Sequence, residues 1–76
     1  MKDLLEFLTK ALVEEPGAVS VEEVEEDGDL VYEITVAEGD LGRVIGKGGR
    51  VANAIRAVAK AAAVRLERRV IVDILD

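Results

Sequence analysis

The chain has no cysteine, no histidine, no tryptophan and no glutamine, one proline, and only two aromatic residues, Phe7 and Tyr32. Without cysteine there is no disulfide scaffold, thiol nucleophile or thiolate-ligated zinc finger. Without histidine most metal sites and the commonest general base are also gone. The carboxylates cluster in the segments read below as strands and loops, with no candidate nucleophile beside them. The composition therefore points to a non-catalytic protein with no metal and no cofactor. The longest uncharged run is the six residues Pro16 to Val21, against the ~20 apolar residues needed to span a bilayer. Met1-Lys2-Asp3 does not open a secretory signal, so a cytoplasmic protein with no membrane association is expected.

What is present is small and branched. The chain has 76 residues, 38 of them hydrophobic, and alanine and valine supply 22 of those 38. A chain of this size buries only about 60% of its unfolded surface. A single domain over residues 1–76 is predicted, its core built from short side chains in close contact.

The net charge of −6 conceals a sharp polarity. Residues 1–42 carry thirteen acids against Lys2 and Lys10. Residues 43–69 carry eight bases (Arg43, Lys47, Arg50, Arg56, Lys60, Arg65, Arg68, Arg69) against Glu67 alone. Such a block in so short a chain marks a candidate anion-binding face on an otherwise repellent body.

Leu4, Leu5, Leu8, Ala11 and Leu12 recur at helical spacing, predicting an amphipathic helix over 2–14 that Pro16-Gly17 stops. Val19 and Val21 alternate but Val24 falls out of phase, predicting a strand over 19–26 with a bulge or a frayed acidic end. Asp27-Gly28-Asp29 is a turn. Leu30, Tyr32, Ile34 and Val36 then alternate cleanly, and Val31 on the other face predicts a central strand covered on more than one side. Asp40 stands where its carboxylate would cap a short helix over 41–45. From Arg50 to about Leu66 the alanine-rich run predicts a long helix whose core stripe is Val51, Ile55, Val58, Ala59, Ala62 and Leu66. Val70, Val72 and Ile74 form the last strand. The order α-β-β-α-α-β predicts an α+β fold in which the second and third strands are parallel neighbours joined by a right-handed crossover.

The chemistry concentrates in Val44-Ile45-Gly46-Lys47-Gly48-Gly49-Arg50-Val51-Ala52-Asn53-Ala54-Ile55. A glycine-rich turn ending at a helix N-terminus presents backbone N–H groups to an anion and lacks the Cβ atoms that would hold a phosphate away. Lys47 adds a positive charge at its tip, and Arg43 and Arg50 bracket it, so a phosphodiester backbone is the natural ligand. A nucleoside-triphosphate loop fits badly, because its glycines are spaced differently and it follows a strand rather than a helix.

The run VIGKGGRVANAI resembles the signature of the KH domain, and the element order resembles the type II form of that fold, a three-stranded mixed sheet packed on three helices. The resemblance extends over the whole chain, to stand-alone bacterial KH proteins of the KhpA type. It implies recognition of about four unpaired nucleotides, the Gly-x-x-Gly loop clamping the backbone while bases lie in an apolar groove. By position, Gly46, Lys47, Gly48 and Gly49 are the clamp. Val44 and the first turns of the long helix, including Arg50 and Asn53, would line the groove. Gly42 and Gly46, four residues apart, leave room for a base to lie flat. The groove's opposite wall would be the loop Glu25-Glu26-Asp27-Gly28-Asp29, whose four acids repel RNA. No aromatic residue in the basic half can stack on a base. Weak, salt-sensitive and poorly sequence-selective binding of single-stranded RNA is expected from one copy, in a post-transcriptional regulator or RNA chaperone.

On the long helix, Arg50, Asn53, Arg56 and Lys60 fall on the outward side. Ala54, Val58, Ala61 and Arg65 form a flank of mostly small residues that a second helix could approach closely. The KhpA resemblance implies self-association there, giving a homodimer, and pairing with a larger Jag-type KH protein. The alternative reading is a KH-fold protein-interaction module that works mainly through such a partner and binds little RNA itself.

Overall fold

A computed structural model describes residues 1–75. The elements are α1 (Lys2–Leu12), β1 (Ser20–Glu26), β2 (Asp29–Thr35), α2 (Leu41–Ile45), α3 (Arg50–Ala63) and β3 (Val70–Leu75). Short 3-10 turns fall at Pro16–Ala18, Glu38–Asp40, Lys47–Gly49 and Val64–Leu66. The sheet order is β1-β2-β3. β1 and β2 are antiparallel, from Ser20↔Thr35 to Glu26↔Asp29, and β2 and β3 are parallel, from Leu30↔Val70 to Thr35↔Leu75. This is the α+β architecture with a mixed sheet that the element order implies. Among the described residues no helix is long and apolar enough to cross a membrane.

The core joins Leu5 of α1, Val21, Leu30, Tyr32, Ile34 and Val72 of the sheet, and Val44, Ile55 and Ala59 of α2 and α3. Several expectations are corrected here. α1 ends at Leu12, two residues early, and Val13 is extended. The N–H groups of Glu14 and Glu15 donate to the two carboxylate oxygens of Asp40, both at 3.1 Å, which draws the chain off the helix before Pro16 is reached. Within α1 only Leu5 and Thr9 are buried, and the flank carrying Leu4 and Leu12 stays open. The Thr9 hydroxyl donates to the Leu5 carbonyl at 2.7 Å, so burying it leaves no unpaired polar atom.

β1 runs from Ser20 with no bulge, its pairing to β2 continuous. Val24 is out of phase because it sits on the face opposite the core. There it pairs with Val31, and Ile71 pairs with Val31 from the other side. Cross-strand neighbours, rather than a second layer, leave Val31 only 3% exposed.

In α3 the buried stripe is Ala52, Ile55, Ala59 and Ala63, with Val51 partly covered. Val58, Ala62 and Leu66, placed in the core by periodicity, are exposed. A stripe of alanines lets the helix axis lie close to the sheet, so the closer packing selects the small side chains and turns the larger ones outward. Nor does Asp40 cap α2, whose N-terminus has no side-chain cap. Its carboxylate, nine-tenths or more buried, serves the Glu14 and Glu15 amides instead.

Tyr32 is the one buried aromatic, and its hydroxyl donates to Glu23 Oε1 across the strand pair at 2.6 Å. Burial, and next the bond to Glu23, push its pKa from the usual 10 up to about 12. Both causes favour the neutral phenol, so this contribution to stability is complete below pH ~10 and is lost as pH climbs towards 12. The loss should be on the order of 2 kcal/mol. In denaturant titrations from pH 9 to 12, the stability gap between the protein and Tyr32→Phe is expected to change by about that amount. Parallel pH profiles for the two proteins would contradict the assignment.

Candidate nucleic-acid interface

The turn from α2 into α3 is set by Gly46, at φ 75° and ψ 170°, a region open essentially to glycine alone. A Cβ there would lie 2.5 Å from Val51 Cγ2 and 2.8 Å from the Val51 backbone nitrogen. The close approach lets the chain reverse within Lys47–Gly49, closed by the Gly49 N–H donating to the Gly46 carbonyl at 3.1 Å. Gly48 (φ 65°) has open space where a Cβ would stand. Gly49 (φ 80°) is the N-cap of α3 and supplies no side-chain cap, so the helix N-terminus opens beside the exposed Lys47 and Arg50, with the Arg50 N–H donating to the Lys47 carbonyl.

The residues singled out by sequence take different stations. Lys47, Gly48, Arg50 and Asn53 are exposed around the turn. Gly42 is also exposed, with nothing near its missing side chain, and its carbonyl accepts the Gly46 N–H at 2.9 Å. Val44 is fully buried and supports the turn from beneath. Its neighbour Ile45, partly exposed, is the apolar residue of α2 that reaches the surface. Arg43 is half-exposed but engaged, with Nη2 2.6 Å from Glu14 Oε1 and Nε 3.3 Å from Asp40 Oδ1. It closes the junction between α1 and α2.

Beyond Asn53 a groove runs along α3 beside β3. Its first part, ≈ 330 Å³, is lined by Arg56, Lys60, Arg69, Val70 and Val72 among others. It continues past Ala63 and Val64 to Arg68. Arg56 Nε donates to the Val72 carbonyl at 3.2 Å, tying α3 to the outer edge of the sheet. Sequence reading put Arg56 and Lys60 on the outward side but could not see the strand edge beside them, which depends on β3 lying next to α3.

The acidic hairpin is less repellent than its sequence implies. Asp27 (φ 51°) and Gly28 (φ 86°) make a two-residue turn of the kind that matches strand twist. Arg68 holds it, its Nε donating to the Gly28 carbonyl at 3.1 Å and its Nη2 lying 3.2 Å from Glu25 Oε2. Arg69 Nε stands 4.0 Å from Asp29 Oδ2. Two of the four acids thus face arginines, leaving Glu26 and Asp27 as the wall's unpaired charge among the described residues.

On the other flank of α3, Ala54, Val58, Ala61 and Arg65 are all exposed. Ala54 and Val58 join Leu8, Ala11 and Leu12 of α1 around an apolar groove of ≈ 250 Å³ floored by Val51 and Ile55.

Comparison with known proteins places this geometry. A family model described as KhpA/KhpB, KH domain, matches residues 2–74. The chain is similar to the RNA-binding protein KhpA of Clostridium acetobutylicum, 51% identical over 75 residues covering 99% of this chain and 100% of that protein. The protein of the same name from Halalkalibacterium halodurans is 46% identical over the full length of both chains. Among solved structures, Era in complex with MgGDPNP and nucleotides 1506–1542 of 16S ribosomal RNA superposes with a TM-score of 0.65 at 25% identity. That match covers 96% of this chain and only 28% of Era. The family is one of binding modules rather than enzymes, and this chain, matched along nearly its whole length, belongs to the KhpA/KhpB family of KH domains.

Proposed function

We propose that the 76 residues act as one KH domain that binds single-stranded RNA without catalysis, as a post-transcriptional regulator or RNA chaperone. The carrying observation is the uncapped N-terminus of α3, opened by Gly46 and Gly49 and flanked by Lys47 and Arg50. Backbone N–H groups and mobile cations together suit a phosphodiester chain. The names of the relatives and the rRNA-bound neighbour support the same reading. On this reading the strand enters over Gly46–Gly49, passes Gly42, Arg50 and Asn53, and continues along the α3–β3 groove. Arg43 contributes by fixing α2 against α1.

Lys47→Asp with Gly48→Asp tests the clamp. The sites are exposed, and aspartate tolerates the positive φ of Gly48 better than most residues, so melting should shift little. Binding of a labelled single-stranded RNA should weaken by at least about tenfold, because carboxylates replace attraction with repulsion. Affinity kept within about twofold of the parent would remove the loop from the interface.

Glu26→Gln with Asp27→Asn tests the wall. These substitutions leave the Glu25–Arg68 and Asp29–Arg69 contacts in place. RNA should bind about two- to fivefold more tightly at low salt, with the gain shrinking as salt rises. An unchanged isotherm would show that the hairpin does not face RNA.

We also propose that two copies associate through Ala54, Val58, Ala61 and Arg65, with a Jag-type KH protein as an alternative occupant of the same flank. The open apolar groove beside Val58 supports this reading, and two linked sites would raise avidity for long RNA. Val58 is 41% exposed, so Val58→Asp costs a monomer little, whereas at an interface the charge would lose its water. Sedimentation should find a dimeric parent and a monomeric variant melting within ~5 °C of it. A parent that sediments as a monomer at high micromolar concentration would refute the homodimer and leave the protein-interaction reading to pull-down with the Jag-type partner.

A further inference from the structure

The groove wall beside α3 offers hydrogen-bond donors and almost no free acceptor, and Arg56 is the cause. The Val72 carbonyl, on the edge of β3 away from β2, is taken by Arg56 Nε at 3.2 Å. The Asn53 side-chain carbonyl, the next acceptor towards the glycine loop, is taken by Arg56 Nη1 at 3.4 Å. A guanidinium carries five N–H donors, so three remain after these two bonds. Asn53 Nδ2 and the Lys60 ammonium add further donors on the same wall. Asp73, the carboxylate residue lining the first part of this groove, stands opposite Glu33 in the β2–β3 register, and strand alternation turns its side chain to the face opposite Val72. The next outward-facing carbonyls of the edge are two residues away in either direction, about 6–7 Å at strand rise.

We infer that Arg56, by occupying the Val72 and Asn53 carbonyls, makes this groove discriminate against adenine in the bound strand. The inference rests on the proposal that RNA runs from the glycine loop along α3. The exposed edges of adenine each pair a ring-nitrogen acceptor with the exocyclic amine, so adenine seated against Arg56 would bury an unmatched donor. Cytosine presents O2 beside N3, and guanine O6 beside N7, pairs of adjacent acceptors that a guanidinium can meet together, whereas uracil's O2 and O4 flank its N3–H donor. A buried polar group left unpaired is the most effective source of base discrimination. Arg56 is therefore a specificity residue, distinct from the backbone clamp, and adds selectivity at one position to an otherwise unselective site.

The test compares ten-nucleotide oligocytidine and oligoadenosine by fluorescence anisotropy, on the parent and on Arg56→Ala. Arg56 is exposed, so the variant should fold, which melting checks. Removing a cation weakens both RNAs together, and stacking within free oligoadenosine is common to both proteins. The informative quantity is therefore the change in the ratio of the two affinities. The parent should bind oligocytidine at least about tenfold more tightly than oligoadenosine, in line with one lost base contact. In Arg56→Ala the freed Val72 carbonyl should bring that ratio below about threefold. An identical ratio in parent and variant, or a parent without preference, overturns the inference even where binding depends on Lys47 and Gly48. If neither RNA binds the parent, the proposed function fails as well, so the two failures are told apart.

Discussion

The contact of Gly46 with Val51 is the constraint on which the rest of the site depends. The backbone of one turn lies where any side chain at position 46 would collide with the next helix. This is what lets α2 reverse into α3 within three residues and leaves the N-terminus of α3 without a side-chain cap. The surrounding glycines are less demanding. Gly48 has open space around it, so its role is to give a left-handed turn and access for a ligand rather than to avoid a collision.

Asp40 is the complementary anchor. A carboxylate buried this deeply is costly unless its oxygens are satisfied. Here two backbone amides and Arg43 meet it. The two amides lie just past the end of α1 and Arg43 lies in α2, while Asp40 itself ends the short turn between sheet and helix, so one residue fixes the platform from which the glycine loop projects. The arrangement explains why Arg43, adjacent in sequence to the loop, has a structural task, while Lys47 and Arg50 make no ion pair among the described residues.

The charge polarity of the chain is partly spent on holding the fold. Arg68 and Arg69 meet the acidic hairpin across the start of β3, and Arg56 reaches the edge of β3. What remains outward is a basic line from Lys47 through Arg50 to Lys60, along the side of α3 away from the alanine stripe that packs on the sheet. Surface pairs such as these contribute little stability individually. Their importance lies in deciding which cations are left to meet an anion.

Element order, the parallel pairing of β2 and β3 and the position of the glycine loop were all legible in the sequence. They follow from local signals: period-two valines and isoleucines, period-3.6 leucines, and glycines where helices must break. The face of α3 that packs inward was not legible, because periodicity weights the larger side chains, whereas close helix-on-sheet packing selected Ala52, Ala59 and Ala63 and expelled Val58 and Leu66. Nor was the partner of Asp40, 25 and 26 residues away from the amides it receives, nor the bond from Arg56 to Val72, 16 residues on. By itself the sequence determined where backbone donors and cations could gather. Which of those charges stay outward and which carbonyls are already occupied was decided only by tertiary structure, because hydrogen bonds and ion pairs form between groups that folding brings together and that no local pattern records.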